Sequence, residues 1–318
     1  GKSERGNPQG ESRKGDFRNR EARQRGKRGP CASARGNPQE EIRKGKFAKG
    51  NPPGECAFWH NGRAMELGLG LIEIGRPWGA GWRGLPPDEQ AGRLLAAALE
   101  EEVLFWDTAS SYGSSEERVG RFLRARPEAA ERVTVATKFG DVWEPGQEES
   151  YADHSYEGLL RSLDRSMAVL PRIDLLQVHR ATEEALRRED VYRALEEARR
   201  RGIAQFGASV KTMGAARIAI ESGWFGWLQI PYNPLRREMA PVFAMARERG
   251  LKVLVNRPFA EGRLLCGDAG EPAEGEAARR RAFEFLRETP FEGYVLVGTK
   301  SAGHLRENAR LWREVFRG

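Results

Sequence analysis

Four side chains that can hold or donate a proton follow three consecutive apolar segments of the sequence. Asp107 comes directly after the run Val103–Trp106, and Tyr112 stands five residues further on. Lys138 ends the run VTVATK, and His179 ends the run DLLQVH. Apolar runs of this length are typical of buried strands. The pattern therefore predicts titratable groups at the points where three strands leave the core.

These residue types together suit general-acid chemistry on a carbonyl group. A phenol is a weak acid with a pKa of about 10, and the Lys138 ammonium is expected to lower the pKa of Tyr112 by favouring the phenolate. Asp107 can pair with that ammonium, and His179 can hydrogen-bond a carbonyl oxygen and orient it toward Tyr112. The set predicts protonation of a developing alkoxide, which is half of a carbonyl reduction, so a cofactor at the same site must supply the hydride.

Each residue also has a structural interpretation when it is considered alone. Asp107 could cap a loop or helix, and Tyr112 could be a surface residue of an edge loop. Lys138 could be a surface lysine, and His179 a core histidine. Four such residues on three consecutive strands, all at the same end, favour a shared site.

Apolar and amphipathic segments alternate eight times within residues 64–318, and they are the elements that must position these side chains. Such alternation implies parallel strands joined by right-handed crossovers. Eight units in about 250 residues predict a (β/α)8 TIM barrel, whose active sites lie at the C-terminal strand ends. A doubly wound sheet is the alternative, but Gly68, Gly70 and Gly75 lack the spacing of its phosphate loop. The predicted strands are Leu67–Ile74, Val103–Trp106, Arg132–Thr137, Ile173–Val178, Ile203–Gly207, Trp227–Ile230, Leu251–Val255 and Gly293–Val297, and the predicted helices are Pro87–Leu99, Glu116–Ala125, Tyr156–Leu170, Asp190–Arg201, Thr212–Ser222, Met239–Arg249, Glu276–Glu288 and Gly303–Val315.

Residues 1–63 differ in composition from the rest of the chain. The sequence RGNPQGESRKGDF at Arg5–Phe17 recurs as RGNPQEEIRKGKF at Arg35–Phe47. This Gly/Pro/Arg-rich unit has too little apolar surface to offset the entropy of ordering, so a disordered basic tail is predicted. The tail holds 16 Lys/Arg and 7 Asp/Glu, and therefore accounts for the net charge of +7.

The tail has three interpretations. It could be an arm that binds nucleic acid or an acidic partner, a solvated segment without a role, or upstream sequence translated ahead of Met65. The solvated segment is favoured, so nucleic acid is not expected as a partner.

Composition also bears on compartment, metal and membrane. Cys31, Cys56 and Cys266 fit neither a metal-ligand spacing nor a disulfide framework. This cysteine usage predicts a reducing, cytoplasmic compartment and no metal. No apolar run is long enough to span a membrane and no signal sequence is evident, so no membrane association is expected.

Segments spread over residues 67–309 resemble those of the aldo-keto reductase family and follow the family's order. By this resemblance Asp107, Tyr112, Lys138 and His179 are the catalytic tetrad, with Tyr112 as the proton donor. The resemblance implies a (β/α)8 barrel that reduces an aldehyde or ketone to an alcohol, with NADP(H) as the cofactor and NAD as the alternative. The segments are LGLGLIEIGRPWG, DTASSYGSSEERVG, VATKFG, RIDLLQVHR, GIAQFGASV, LQIPYNPL, VLVNRPFAEGRLL and VLVGTKSAGHLRENA.

The resemblance also implies a set of cofactor contacts. They are Ser209 and Gln229 for the nicotinamide carboxamide, Asn256 beside the nicotinamide ring, Gly298, Lys300 and Ser301 in the loop that takes the adenosine 2′-phosphate, and Glu307 and Asn308 for the adenine. Without the family context, the loop Gly298–Ser301 would be interpreted as a helix cap with a basic neighbour.

The sequence departs from the family at four of these positions. Val210 stands where an Asn often adds an amide hydrogen bond, and Asn256 stands where an aromatic ring often stacks on the nicotinamide. Val297 replaces a common Pro, and His304 replaces a longer cationic or amide side chain near the 2′-phosphate. The preference for NADP over NAD is therefore open.

Two other functions and the substrate also remain open. The chain could be an NADP-binding regulatory subunit that senses redox state with little turnover, or a nucleic-acid-binding protein acting through its repeats. Trp78, Trp82, Trp143 and Phe259 are predicted in mouth loops and could line an apolar cleft for a small-molecule carbonyl substrate.

Overall fold

The computed structural model describes residues 65–79, 84–265 and 275–317. The predicted tail, residues 1–63, lies outside these ranges, as do the three cysteines and Trp82.

Eight of the ten described strands close into a parallel barrel, which confirms the predicted fold. The strands are β1 (Met65–Gly70), β2 (Phe105–Asp107), β3 (Thr134–Phe139), β4 (Asp141–Val142), β5 (Tyr151–Ala152), β6 (Leu175–Val178), β7 (Phe206–Ser209), β8 (Trp227–Pro231), β9 (Lys252–Asn256) and β10 (Gly293–Gly298). Around the ring the order is β1-β10-β9-β8-β7-β6-β3-β2. The strands β4 and β5 form a separate antiparallel hairpin after β3.

Helices cover the outside of the barrel, and the eight predicted ones are all present. The described helices are α1 (Asp88–Glu100), α2 (Ser115–Arg124), α3 (Pro127–Arg132), α4 (Tyr156–Val169), α5 (Glu189–Arg200), α6 (Met213–Ser222), α7 (Pro241–Glu248), α8 (Gly275–Arg287) and α9 (Ala302–Arg317). The short helix α3 was not predicted, and neither was the β4–β5 hairpin.

Two predicted strand limits are wrong for identifiable reasons. The first strand was expected to reach Ile74, but it ends at Gly70 and residues Ile72–Ile74 form a turn of 3-10 helix. The run stays apolar because the Ile74 side chain is fully buried in that turn. The second strand was expected to begin at Val103, but the Val103 amide donates to Ala98 O at 2.8 Å and so belongs to the end of α1.

The inside of the barrel is layered because side chains alternate along each strand. An apolar layer fills the middle and includes Phe105, Ala136, Leu175 and Trp227. Two residues further along the same strands stand Asp107, Lys138, Gln177 and Gln229, which are all buried. A polar layer therefore lies directly above the apolar one, toward the C-terminal ends of the strands.

Glu116 links α2 to strand β3 of the barrel. Its side chain is only 3% exposed and accepts a hydrogen bond from Thr137 Oγ1 of β3. Burial raises its pKa to about 6, and hydrogen bonds from Thr137 and Ser166 oppose the shift only in part. The folded protein therefore binds a proton at Glu116 more tightly than an ordinary glutamate does.

This shift predicts a stability change with pH that Glu116→Gln removes. The stability that comes from the bound proton is complete below a pH of about 4.5 and is lost as the pH rises through about 6. The shift corresponds to about 2 kcal/mol. Urea unfolding between pH 4.5 and 7 should show the wild-type free energy falling by about this amount relative to Glu116→Gln. Glu117→Gln, at an exposed position of the same helix, is the control and should fall with the wild type; parallel curves for all three proteins would contradict the assignment.

Candidate active site

A buried ion pair lies at the centre of the polar layer. Lys138 Nζ is 2.6 Å from Asp107 Oδ2 and donates to Thr108 O at 2.8 Å. Gln177 Nε2 donates to the other carboxylate oxygen, Asp107 Oδ1, at 2.9 Å. Burial lowers the pKa of Lys138, but Asp107 and Tyr112 together outweigh it, and the net direction is a raised pKa. The lysine therefore stays an ammonium although it is fully enclosed.

Tyr112 lies against this ammonium, in the loop between β2 and α2. Lys138 Nζ is 4.7 Å from the centre of the Tyr112 ring, so the ammonium and the phenol are direct neighbours. Burial raises the pKa of Tyr112, and the charge of Lys138 opposes this without reversing it. Lys138 thus acts in the expected direction, but the cost of burying a phenolate is the larger effect and the net pKa of Tyr112 is raised. Tyr112 keeps its proton.

His179 completes the group at the end of β6. Its ring meets the Tyr112 ring edge-on, with 5.7 Å between centres. Its Nδ1 lies 3.3 Å from Ser111 Oγ and 3.5 Å from Asp141 Oδ2. Burial, followed by the charges of nearby lysines and arginines, holds the pKa of His179 well below its usual value. The imidazole is therefore neutral around pH 7, and the four predicted side chains do lie together at one mouth of the barrel.

Two orphaned amide atoms stand on the neighbouring strands. Gln229 is held by Ser209, whose Oγ donates to Gln229 Oε1 at 3.2 Å. Among the described residues, the buried Gln229 Nε2 and Asn256 Oδ1 have no hydrogen-bond partner. One is a donor and the other an acceptor, and both residues line the same cleft as Tyr112. A primary carboxamide, such as that of nicotinamide, offers the matching acceptor and donor.

The loop after β10 contains the other residues expected to contact a cofactor. Gly298 and Lys300 line the cleft, and Lys300 Nζ donates to Gly84 O at 3.0 Å. Ser301 Oγ accepts from the amide of His304, so it caps the start of α9. The helix-cap interpretation thus holds for Ser301, without excluding a ligand at its hydroxyl.

Two residues of α9 stand apart from the cleft wall. Glu307 pairs with Arg279 at 2.9 Å, which occupies one of its oxygens. Asn308 is 2% exposed, and its Oδ1 has no partner within the described chain. Of these two, Asn308 is therefore the one with a free buried acceptor.

The cleft has a volume of about 590 Å³ and contains charged residues that were not predicted from the sequence. They are Glu73, Arg76, Asp141, Glu148, Glu149, Arg180, Lys211, Arg257 and Glu261. Five of them stand within three residues after the end of a barrel strand, which is the signal that could have identified them: Glu73, Asp141, Arg180, Lys211 and Arg257. Of the predicted aromatic residues, Trp78 and Phe259 line the cleft, whereas Trp143 packs at 5.4 Å from the Arg76 guanidinium.

Two searches of the described residues were negative. No helix in them combines the length and apolar character needed to cross a membrane. No three His, Cys, Asp or Glu side chains in the same ranges are grouped as a metal site would require.

Comparisons with known proteins identify the family of the chain. The sequence profile of the Aldo/keto reductase family matches residues 66–289. The chain is 30% identical to aldo-keto reductase str7 of Strobilurus tenacellus over 66% of this chain and 62% of that protein. It is also 30% identical to versiconal hemiacetal acetate reductase of Aspergillus parasiticus, over 64% of this chain and 66% of that protein. The match thus spans less than two thirds of either relative.

Solved structures extend the likeness to the fold. A provisionally assigned aldo-keto reductase of Pseudomonas aeruginosa is 29% identical and superposes with a TM-score of 0.64, covering 78% of this chain and 90% of its own. The holo form of an aldo-keto reductase from Bacillus halodurans is 23% identical and superposes with a TM-score of 0.65, covering 79% of this chain and 91% of its own. At that identity the second likeness concerns the fold alone.

The Tyr112 loop depends on a glycine contact that can be tested. A Cβ at Gly75 would lie 1.7 Å from Tyr112 O, so Gly75→Ala must displace one of the two loops. We expect Gly75→Ala to lower the free energy of unfolding by about 1–3 kcal/mol, as overpacking does. Gly92→Ala is the control: a Cβ there meets nothing within 4 Å in mid-helix α1, so a gain of about 0.5–1 kcal/mol is expected. Equal unfolding free energies for Gly75→Ala and the wild type in urea would contradict the close approach.

Proposed function

Because the chain belongs to the Aldo/keto reductase family, we propose that this oxidoreductase uses NADPH to reduce an aldehyde or ketone to an alcohol, with Tyr112 as the general acid. The observation that carries the proposal is the enclosed Lys138–Asp107 ion pair directly against the Tyr112 ring. A phenol, an ammonium and a neutral imidazole then face one cleft. The substrate we propose is a small carbonyl compound, and the proposed location is cytoplasmic.

Tyr112 acts by giving up its proton to the carbonyl oxygen as negative charge develops there. Its raised pKa keeps the phenol protonated at neutral pH, so the proton is available in the resting enzyme. The phenolate that remains lies beside the Lys138 ammonium, which stabilises it by charge and hydrogen bonding. Lys138 therefore makes the proton transfer feasible without donating the proton itself.

Asp107 and His179 support this step in different ways. Asp107 keeps Lys138 charged and fixes its ammonium, and Gln177 fixes Asp107 in turn. The neutral His179 can hydrogen-bond the substrate oxygen and direct it toward Tyr112, which it meets edge-on. Because its pKa is held low, this role does not change across the neutral pH range.

Ser209, Gln229 and Asn256 would hold the nicotinamide end of the cofactor. Bound NAD(P)H supplies the hydride for the carbonyl carbon. Gln229 Nε2 and Asn256 Oδ1 are the buried donor and acceptor that a carboxamide would satisfy. Asn256 thus offers a side-chain amide oxygen. The side chain of Val210, which is buried in the core, cannot offer one.

The loop after β10 would hold the adenosine end. Lys300 and Ser301 supply a cation and a hydroxyl for a 2′-phosphate, with Gly298 beside them in the cleft wall. Asn308 offers a buried oxygen to the adenine amino group, and Glu307 stands next to it. Lys300 Nζ has three N–H donors, so it can contact the 2′-phosphate while it still donates to Gly84 O. The preference for NADP over NAD is part of the proposal.

Tyr112→Phe tests the proton transfer. The substitution removes the acid and keeps the ring, so kcat should fall by about 10²–10⁴-fold, while Kd for NADPH stays within about twofold, as expected away from the buried polar contacts. Initial rates on a panel of aldehydes and ketones, with a fluorescence titration of NADPH, measure both. The control is Tyr151→Phe, at a tyrosine that is 53% exposed. Undiminished turnover in Tyr112→Phe would refute the role, and a wild type that binds NADPH but reduces no carbonyl would favour the regulatory alternative.

Gln229→Leu and Lys300→Met separate the two ends of the cofactor. The carboxamide is common to NADPH and NADH, so Gln229→Leu should raise both Kd values by about tenfold, as the loss of one buried hydrogen bond does. Lys300→Met should weaken NADPH by a similar factor and leave NADH within about twofold, because only NADPH carries the 2′-phosphate. Fluorescence titrations give all four constants. Equal losses for both cofactors in Lys300→Met would contradict a 2′-phosphate contact.

A further inference from the structure

The lining of the cleft beside Tyr112 carries both signs of charge: its cations are Arg76, Arg180, Lys211, Arg257 and Lys300, and its carboxylates are Glu73, Asp107, Asp141, Glu148, Glu149 and Glu261. Arg257 is paired with Glu261, and Arg180 is 3.3 Å from Asp141 Oδ1. Arg76 has no carboxylate oxygen within 4.0 Å in the described chain, and the same is true of Lys211 at the cleft rim. The lining as a whole is therefore not net positive, and a site for a negatively charged ligand would have to be local, at Arg76.

Arg76 is the unusual member of this set because it is buried. It is only 7% exposed, and within the described ranges its one hydrogen bond runs from Nη1 to Ser111 O at 3.2 Å. Its Nε is enclosed without a partner. The guanidinium lies 5.8 Å from the centre of the Trp78 ring and 5.4 Å from that of Trp143.

A buried guanidinium is normally paired with an acid, because burying an unpaired charge is unfavourable. Arg76 instead has five N–H donors and a single carbonyl acceptor. The two indole rings fix its orientation and supply weak cation–π attraction, but neither accepts the remaining N–H groups. An anion entering the cleft would provide the missing acceptors.

The position of Arg76 assigns such an anion to the substrate. Its charge acts on both Tyr112 and His179, so it lies on the side of the cleft where the carbonyl group must be held. The expected phosphate contact, Lys300, lies instead with Glu73 at the β10 loop. The expected 2′-phosphate contact and Arg76 therefore belong to different parts of the cleft.

We propose that the preferred substrate is a carbonyl compound carrying a carboxylate or phosphate, and that Arg76 binds this anionic group while Tyr112 protonates the carbonyl oxygen. The inference rests on the proposed reductase function. A guanidinium suits either anion because its planar N–H pair matches two oxygens at once. Lys211 adds to the positive field at the rim.

The test compares matched substrates that differ in charge. Succinic semialdehyde is set against butanal, and glyceraldehyde 3-phosphate against glyceraldehyde, so the two arms separate carboxylate from phosphate. For the wild type with NADPH we expect kcat/KM to be at least tenfold higher for the anionic member of at least one pair. Arg76→Met should reduce that ratio by about tenfold or more. The ratio for Arg76→Lys should lie between those of the wild type and Arg76→Met. The control Arg200→Met removes the same charge from an exposed helix and should keep the wild-type ratio.

A second measurement does not depend on turnover. Succinate is titrated into the NADPH-loaded protein by calorimetry, and we expect Arg76→Met to weaken its binding by at least tenfold. Neutral substrates preferred in both pairs, or equal losses for both members of each pair in Arg76→Met, would overturn the inference and leave the reductase intact. Succinate binding that depends on Arg76, in a protein that reduces none of the four carbonyls, would uphold the anion site and refute the reductase.

Discussion

An enclosed ammonium must be surrounded by acceptors, and this requirement organises the mouth of the barrel. Lys138 meets it with the Asp107 carboxylate and the Thr108 carbonyl, and Gln177 holds Asp107 in place. These side chains point inward because each stands two residues beyond the apolar layer of its own strand. A register shift of one residue in β3 would exchange Lys138 for Phe139 and leave the buried Asp107 carboxylate without its cation.

Burial determines the protonation state of the two groups beside this ion pair. Tyr112 and His179 are both held in their neutral forms, the phenol chiefly by burial and the imidazole by burial with a surrounding positive field. A neutral phenol can release a proton and a neutral imidazole can donate a hydrogen bond without carrying charge into the cleft. Burial therefore prepares the site for proton transfer more than any single hydrogen bond does.

The barrel and the four tetrad candidates could be predicted because both follow from periodicity. Apolar runs predict parallel strands, and the ends of parallel strands meet at one mouth, so Asp107, Lys138 and His179 had to lie together. The ends of β1 and β2 were less accurate, because an apolar run can continue into a turn, as at Ile74, or begin as the end of a helix, as at Val103.

The loop residues of the cleft could not be predicted in the same way. Arg76 and Asp141 reach the site from loops, where spacing along the chain does not determine position in space. The pKa of Tyr112 depended on the balance between burial and one charge, and only the packing around the phenol decides that balance.

The contact between Gly75 and the Tyr112 loop couples the segment proposed to bind the substrate's anionic group to the segment proposed to donate the proton. The segment that carries Arg76 touches the segment that carries Tyr112 backbone to backbone, with Ser114 N donating to Gly75 O at 3.2 Å. Neither segment can be lengthened or exchanged without moving the other. Redesign of this enzyme for new substrates should therefore graft both loops together, or leave them alone and replace the β4–β5 hairpin, which opposes them and pairs with no strand of the barrel.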